Sequence, residues 1–388
     1  MDLTFTEREE SFRAEARAWL LANVPREPLP SGDTREGFEL HKLWEKKLHQ
    51  ARWSVVSWPR KYGGREASLL EWLLFEEEYY RAGAPQRIAQ NGIFLLAPTL
   101  FEHGTEEQRD RILPAMASAE ELWAQGWSEP NAGSDLAGIQ SRAVRDEAGG
   151  GWRLSGQKSW CTRGAFCDWM FGLFRSDPAA ERHRGLTYFL VPLRAPGVTV
   201  RPVGRLDGDA GFADVFLDDV HVPDRDVLGQ VNDGWNVAMV TASSERGLSL
   251  RSPGRFQASA ARLVDLWARY GDDGDPTLRD AVVRAWMDAE AYALYTLQTV
   301  SRLAGGGAIG PEASLNKIFW SELDLRIHEA ALRILGPHAE LIDGASDAID
   351  GGAWMKGFEF ALAGPIYAGT NEIQRNVVAE RVLGLPRR

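Results

Sequence analysis

Three stretches of this 388-residue sequence combine side chains that could hold a planar ligand or move a proton. The first runs from Trp123 to Asp135 and places two indoles among amides, hydroxyls and small residues. Amide and hydroxyl donors beside flat aromatic rings suit a planar heterocycle with polar edges. The same composition also fits a turn-rich linker, so this stretch alone leaves both interpretations open.

The second stretch, Gly156–Thr162, has the pattern of a turn that runs into a strand. Side chains alternate across a strand with period two, so Trp160 and Thr162 are predicted to share one face. An indole beside a hydroxyl could cover a ring and hydrogen-bond to its edge. Core packing, with a threonine at the strand edge, is the alternative.

The third stretch is a predicted helix over Gly234–Arg246, with a glutamate near its end. Glu245 follows Ala242 by three residues and Thr241 by four. It also follows Ala238 by seven, so it lies on a stripe of small side chains, which leaves room for a ligand. The alternative is a solvated pair between Glu245 and the arginine that follows it.

Composition excludes several classes of function. The 44 basic and 55 acidic residues give a net charge of −11, which argues against nucleic acid or an anionic membrane as the main partner. Cys161 and Cys167 are too few for a disulfide framework or a multi-cysteine metal site, and we expect buried thiols. No apolar run reaches the roughly 18 residues of a membrane span. The charged N-terminus lacks a signal-peptide core, so a cytoplasmic location is expected.

Familiar nucleotide-binding and hydrolase motifs are mostly missing from the sequence. Gly305, Gly307 and Gly310 match a GxGxxG pattern, but the segment before them has helical periodicity. A dinucleotide site needs a strand, a loop and a helix in that order, so we expect a helix–helix loop here. The seven histidines are scattered without metal-ligand spacing, and no metal site is predicted.

The elements that position these stretches follow a helical, β and helical order. The first third of the chain has helical periodicity, beginning with a helix over 6–24 that opens with Thr6 and Glu9 at capping-box spacing. Short alternating apolar runs between glycine and proline turns then indicate a small β sandwich or barrel. Helical periodicity returns after Gly234. The predicted domains are 1–121, 122–231 and 232–388.

Six elements in this order resemble the acyl-CoA dehydrogenase family. They are Trp58–Gly64, Gly104–Arg109, Ser128–Asp135, Gly156–Trp160, Phe216–Gly229 and Ile366–Arg375. The resemblance implies an α+β multidomain fold with an N-terminal helical domain, a middle β-barrel domain and a C-terminal four-helix bundle. It also implies bound FAD and oxidation of an acyl-CoA thioester to the trans-2-enoyl product, with loss of an α-proton and transfer of a β-hydride to flavin N5.

The resemblance also implies which residues contact the cofactor and the substrate. Along or over the flavin it places Gln125, Trp127, Ser128, Trp160 and Thr162. Near the ribose and adenine end of FAD it places Thr370 and Glu372. Near the substrate it places Ser134, Tyr367 and Gly369.

The residue that removes the α-proton is the main departure from the family pattern. Medium- and short-chain members carry a glutamate where this chain has Ala368, and alanine cannot take a proton. In isovaleryl-CoA and long-chain acyl-CoA dehydrogenases, the base instead precedes an arginine on an earlier helix, and Glu245 and Arg246 match that pair. We therefore expect Glu245 to be the base, Arg246 to fix the local geometry, and the Ala368 N–H to bond the thioester oxygen.

Partners follow from the same resemblance. An electron-transfer flavoprotein is the implied electron acceptor. The family's arginine–phenylalanine–glycine element is reduced to Arg269–Gly271, and Arg333 and Gly336–Pro337 replace a glutamine and a glycine pair. Both a homodimer or homotetramer and an α2β2 hetero-oligomer therefore stay open.

The resemblance leaves several features of the activity open. The substrate could be a CoA or an acyl-carrier-protein thioester, with a role in fatty acid or lipid metabolism. A non-catalytic or FAD-sharing subunit, and a flavin oxidase or monooxygenase on the same fold, are the alternative functions.

Overall fold

The computed structural model describes residues 4–246, 252–272, 274–307, 309–342 and 344–386, without the side chains of Glu245 and Arg246. The earlier helices are α1 (Glu7–Asn23), α2 (Arg35–Gln50), α3 (Leu69–Arg81), α4 (Ala97–His103) and α5 (Glu106–Ala117). A π-helix over Asn91–Leu96 precedes α4. The strands are β1 (Trp123–Gly126), β2 (Arg142–Arg145), β3 (Trp152–Lys158), β4 (Trp169–Arg175), β5 (Leu186–Pro192), β6 (Val198–Val203), β7 (Phe212–Val222) and β8 (Val227–Leu228). The later helices are α6 (Gly234–Arg246), α7 (Pro253–Tyr270), α8 (Pro276–Ala304), α9 (Ala313–Leu335), α10 (Ala353–Ala361) and α11 (Asn371–Val377).

Local sequence signals set the helix starts. The Thr6 hydroxyl accepts from the N–H of Glu9, and the Glu9 carboxylate accepts from the Thr6 N–H at 2.7 Å, so the predicted capping box is confirmed. Ser68 and Glu71 form the same box at the start of α3. Within the described ranges, no helix is long and apolar enough to cross a membrane.

The described residues cluster into two units, each assembled from separate stretches of chain. One contains Met1–Pro25, Ser68–Ala84 and Arg246–Arg388, and the other contains Arg26–Ala67 and Pro85–Glu245. In the first unit α1 packs on α3, and α3 packs on α7 and α8. The N-terminal helices α1 and α3 thus join the C-terminal helices. The sequence domains 1–121, 122–231 and 232–388 stay a prediction.

Charge pairing and one close approach explain why α1 and α3 belong to the first unit. Arg13 and Arg17 of α1 both donate to the buried carboxylate of Glu78, at 3.0 and 2.8 Å. A side chain at Gly254, in the first turn of α7, would place its Cβ only 2.9 Å from the Glu77 Cα. Glycine is therefore required where α7 crosses α3.

The C-terminal helices α7 to α10 share one apolar core. Phe256 lies at its centre, edge-on to Tyr292 at 5.5 Å and stacked on Trp320 at 6.3 Å. The glycine pattern at Gly305–Gly310 joins α8 to α9, so the expected helix–helix loop is confirmed. Burial of the apolar side chains of this core is the main stabilising contribution to such a bundle.

The strands form one sheet in the order β6-β7-β3-β2-β4-β5-β8, and β1 pairs in parallel with β4. The described pairs leave β6 and β8 as the ends of this path. Burial alternates along most of β7, as expected for a strand with one covered face. The predicted order of an N-terminal helical, a middle β and a C-terminal helical region is confirmed.

The two cysteines lie inside the second unit as free thiols. Cys161 and Cys167 are both buried, which confirms the expected burial of the two thiols. Burial raises the pKa of each thiol to about 12, because a thiolate would lose its hydration there. In the part of the chain that the structure describes, no cluster of histidine, cysteine and carboxylate side chains could hold a metal ion.

Candidate functional site

The first two candidate stretches meet in the structure. The chain leaves β1 at Gly126, and the carbonyl of Ser128 then accepts from the N–H of Ser159 at 2.9 Å. That bond aligns the two segments, so Trp127 and Trp160 follow adjacent paths at the end of β3. The amides and indoles of both stretches therefore belong to one region of the second unit.

Trp160 has an unusual conformation. Its φ is +61°, and its indole is 62% exposed with an edge contact to Phe212 at 5.7 Å. Cys161 and Ala213 exchange two backbone hydrogen bonds, which holds the next residue in place. A left-handed conformation costs free energy for a residue with a Cβ, and such strain clusters at functional sites.

The prediction that Trp160 and Thr162 share a strand face is wrong. β3 ends at Lys158, and Thr162 lies in a turn. The cause is the left-handed backbone at Trp160, which breaks the two-residue alternation. Both side chains nevertheless stay accessible, since Trp160 is exposed and Thr162 is half-buried.

Glu129 and Lys158 form a buried ion pair directly beside these segments. The Lys158 Nζ donates to Glu129 Oε1 and to the carbonyl of Leu173, both at 2.7 Å. Burial alone would raise the pKa of Glu129, but the ammonium and the backbone N–H groups of Gln140 and Ser141 hold this pKa below its ordinary value. The carboxylate is therefore ionised at neutral pH.

A chain of buried hydroxyls anchors helix α6. Thr99 donates to the Leu95 carbonyl at 3.0 Å, because a carbonyl can only accept. Thr99 must then accept from Thr241 at 2.7 Å, and Thr241 accepts from the Tyr188 hydroxyl at 3.2 Å. The chain thus ties α6 to α4, to the π-helix and to β5.

The anchored face of α6 is the stripe of small residues that the sequence indicated. Ala238, Thr241 and Ala242 are all buried. At the start of α6, a Cβ on Gly234 would lie 2.7 Å from backbone atoms of β5, so the helix begins in close contact with the sheet. Glu245 follows Thr241 by four residues on the same helix. The side chains of Glu245 and Arg246 lie outside the described ones.

In the first unit, the loop before α11 has two successive residues with positive φ. Ala368 has φ +57° and Gly369 has φ +77°. Gln374 donates to the carbonyls of both, at 3.2 and 3.3 Å, while the described part of the chain offers no acceptor for the Ala368 N–H. Tyr367 stacks on Trp320 at 5.9 Å.

Thr370 and Glu372 lie at the start of α11. The Thr370 hydroxyl caps the helix by accepting from the Ile373 N–H at 3.2 Å. Glu372 is exposed, and hydrogen bonds from its own backbone N–H and from Thr370 lower its pKa. Both groups therefore present oxygen atoms at a helix N-terminus.

Comparisons with known proteins bear on what this arrangement serves. Acyl-CoA dehydrogenase domain models match in order: the N-terminal domain over residues 6–120, the middle domain over 124–220 and the C-terminal domain over 232–383. Acyl-CoA dehydrogenase IpdE1 of Mycolicibacterium smegmatis is 39% identical over 394 residues, which cover 97% of this chain and 98% of that protein. Acyl-CoA dehydrogenase FadE26 of Mycobacterium tuberculosis is 30% identical over 404 residues, covering 100% and 99%.

The chain belongs to the acyl-CoA dehydrogenase family. Among solved structures, the Tcur3481-Tcur3483 steroid ACAD superposes with a TM-score of 0.88 at 28% identity, covering 100% of both chains. The ChsE4-ChsE5 complex from Mycobacterium tuberculosis gives a TM-score of 0.84 at 27% identity, again covering 100% of both chains. The protein is accordingly an FAD-dependent acyl-CoA dehydrogenase.

The residues of the second unit fit a flavin. The Trp127 indole is buried, and its Nε1 has no hydrogen-bond partner among the described groups. Gln125 and Ser128 are half-buried beside it. The Thr162 hydroxyl likewise has no partner within the described ranges. Unpaired donors next to an exposed indole, that of Trp160, suit a flat ring system with polar edges.

The predicted site residues fall into two groups, and the structure describes each group within its own unit. Gln125, Trp127, Ser128, Ser134, Trp160, Thr162 and the backbone of Glu245 belong to the second unit. Tyr367, Ala368, Gly369, Thr370 and Glu372 belong to the first, as does the backbone of Arg246. Ser134 is exposed, and the carboxylate of the next residue, Asp135, pairs with Arg182 at 2.6 Å.

Sequence reasoning missed two features of this region. Counting alternate residues from Trp152 and Leu154 places Lys158 on the buried face of β3, and a lysine there signals a buried partner. The bond between Thr99 and Thr241 joins residues far apart in the chain. No local sequence pattern predicts a contact of this kind.

Proposed function

We propose that this acyl-CoA dehydrogenase converts an acyl-CoA thioester to the trans-2-enoyl-CoA, with Glu245 as the base that removes the α-proton. FAD, when bound, supplies the acceptor for the β-hydride. The observation that carries the proposal is the alanine at position 368, since no proton can be held there. The base must come from elsewhere, and α6 offers a carboxylate one turn beyond its buried anchor at Thr241.

The Ala368 N–H is proposed to polarise the thioester carbonyl. An α-proton is weakly acidic, so donors must stabilise negative charge on the carbonyl oxygen as it develops. Gln374 holds the carbonyls of Ala368 and Gly369, which fixes the two peptide planes of this loop. Arg246 is proposed to fix the geometry around Glu245.

The proposed cofactor contacts are those that the family resemblance implies. Trp127 and Trp160 would pack along the flavin, while Gln125, Ser128 and Thr162 would bond to its polar edge. Thr370 and Glu372 would bind near the ribose and adenine end. Support comes from the unpaired donors of the second unit and from the oxygen atoms at the start of α11.

A steroid-derived acyl-CoA is the proposed substrate class. The supporting finding is the likeness to the steroid ACAD at a TM-score of 0.88. Ser134, Tyr367 and Gly369 are proposed to contact the thioester or its CoA moiety. A carrier-protein thioester is the competing substrate, and the experiment below separates the two.

A second, related chain is the proposed structural partner, and an electron-transfer flavoprotein is the proposed electron acceptor. The ChsE4-ChsE5 complex is the comparison that supports a hetero-oligomer. On α8 the exposed side chains of Val283, Trp286, Met287 and Leu294 form an apolar stripe of the kind that marks subunit contacts. A protein that elutes as a homodimer or homotetramer when purified alone would favour self-assembly instead.

Anaerobic titration tests the proposed activity and the substrate class together. The purified yellow protein is mixed with straight-chain, branched and steroid-derived acyl-CoAs, and with a matching acyl-carrier-protein thioester. We expect the steroid-derived acyl-CoA to bleach the flavin band. Bleaching only by the carrier-protein thioester would overturn the substrate class, and oxygen consumption without any thioester would favour an oxidase.

A further inference from the structure

Lys158 is a fully buried cation in the second unit. It is 0% exposed. Its Nζ donates to Glu129 Oε1 and to the Leu173 carbonyl, both at 2.7 Å, and lies 4.7 Å from the centre of the Phe174 ring. Two of the three N–H donors of the ammonium are thus hydrogen-bonded, and the aromatic ring lies within cation–π distance.

The Glu129 carboxylate binds the backbone of a loop as well as the ammonium of Lys158. Its carboxylate accepts from the backbone N–H of Gln140 at 2.6 Å and from that of Ser141 at 3.0 Å. Glu129 and Ala132 also exchange two backbone hydrogen bonds. One carboxylate thus ties both ends of the 129–141 segment to the end of β3.

The pair lies next to the residues proposed for the flavin. Glu129 directly follows Ser128, and Lys158 precedes Trp160 by two residues. The hydrogen bond from the Ser159 N–H to the Ser128 carbonyl lies between them. A shift of the Lys158 ammonium would therefore move both segments relative to each other.

Stability alone does not explain a charge pair in this place. Replacing a buried ion pair by apolar side chains of similar volume is often neutral or stabilising. What an ion pair adds is a fixed direction and distance between two segments of backbone. That property matters where a bound ring must touch both segments.

We propose that Lys158 is a positioning residue for FAD, because the Lys158–Glu129 pair sets the separation between the Trp127–Ser128 segment and Trp160. The proposal rests on the proposed placement of those residues at the flavin, and it is independent of the role of Glu245. It concerns binding in the absence of any substrate.

The test measures FAD affinity of the full-length protein at a temperature where all variants are folded. Flavin is removed, and FAD is titrated back while its fluorescence and absorption spectrum are recorded. Lys158→Met should weaken FAD binding at least tenfold. The double variant Lys158→Met/Glu129→Leu, which removes both charges, should regain thermal stability without regaining affinity. Recovery of wild-type affinity in the double variant would overturn the proposal, since a merely structural pair would then suffice.

A matched control exists in the same unit. Arg87 donates to Glu45 at 2.8 Å and to the Ser54 carbonyl at 2.8 Å, and it is also buried. Arg87→Met should lower stability comparably while changing FAD affinity less than twofold. An equal loss of affinity in this control would assign the Lys158→Met result to general destabilisation and overturn the proposal.

Two further variants keep the test decisive. Glu129→Asp keeps both charges but shortens the carboxylate arm, and it should still weaken FAD binding severalfold. Wild-type affinity in this variant would overturn the proposal even if the double variant failed to fold. Trp160→Phe checks the placement of the flavin by itself. An unchanged flavin spectrum in Trp160→Phe would show that Trp160 does not contact the flavin, and this result would overturn the proposal.

Discussion

The hydroxyl chain through helix α6 makes a quantitative prediction. Thr241 is 0% exposed and bonds to Thr99 and Tyr188, so Thr241→Val removes two hydrogen bonds. Each buried bond contributes roughly 1 kcal/mol net, which gives a loss of about 2 kcal/mol. Thr99→Val removes the same shared bond and the bond to the Leu95 carbonyl, for a similar loss of about 2 kcal/mol.

The double variant Thr99→Val/Thr241→Val should lose less than the two single losses combined. It removes three distinct bonds, because the 2.7 Å bond between the two threonines is counted in both single variants. The expected loss is about 3 kcal/mol, which leaves a coupling energy of about 1 kcal/mol. Urea unfolding at one fixed FAD concentration measures it in variants that bind FAD with equal affinity, since bound FAD then stabilises each of them by the same amount.

A matched control is Thr296→Val in α8. The Thr296 hydroxyl is buried and donates to the Tyr292 carbonyl at 2.8 Å, without any bond to the chain through Thr241. Its loss should add to that of Thr241→Val within about 0.5 kcal/mol. Additive losses for Thr99 and Thr241 as well would refute the hydroxyl chain.

Other predictions concern strain, a buried ion pair and two thiols. Asp33→Asn should lower the free energy of unfolding by about 3–5 kcal/mol, because the guanidinium of Arg163 would stay buried without its charged partner. In the wild type, Arg163 Nε lies 2.7 Å from Asp33 Oδ1. A urea midpoint close to that of the wild type would contradict this prediction. Ala368→Gly should relieve about 1–2 kcal/mol of left-handed strain and lose about 0.4–1 kcal/mol to chain entropy, a net gain of about 0–1.6 kcal/mol. A thermal melt measures this gain, and a lower melting temperature than that of the wild type would argue against strain at Ala368. With folded pKa values of about 12, Cys161 and Cys167 should resist alkylation at pH 8, and rapid labelling of the native protein would show that they are accessible. Unfolded thiols ionise at about pH 8.5, whereas the folded ones stay protonated there. The free energy of unfolding should therefore fall as the pH rises above about 9.

Local signals in the sequence predicted local structure well. The spacing of Thr6 and Glu9 predicted the start of α1, because a capping box involves only neighbouring residues. Helical periodicity before Gly305 correctly separated a helix–helix loop from a dinucleotide site. The order of helical, β and helical regions followed from the same kind of evidence.

The failures concern contacts between distant residues. The predicted strand through Trp160 was wrong, because Trp160 has a left-handed backbone conformation and Cys161 then pairs with Ala213. The residues next to Trp160 give no sequence signal for this pairing. Thr99 and Thr241 are separated by 142 residues, so their bond depends on the completed fold. Lys158 was visible as a lysine on a buried face, but its partner was not.

The rate at which the flavin band bleaches in Glu245→Gln tests the central claim most directly. The variant and the wild type are mixed anaerobically with a saturating acyl-CoA that bleaches the wild type, at equal FAD content. Since a general base contributes roughly 10²–10⁴-fold, the variant should bleach slower by about that factor while still binding the acyl-CoA. Bleaching at the wild-type rate would show that another group removes the α-proton.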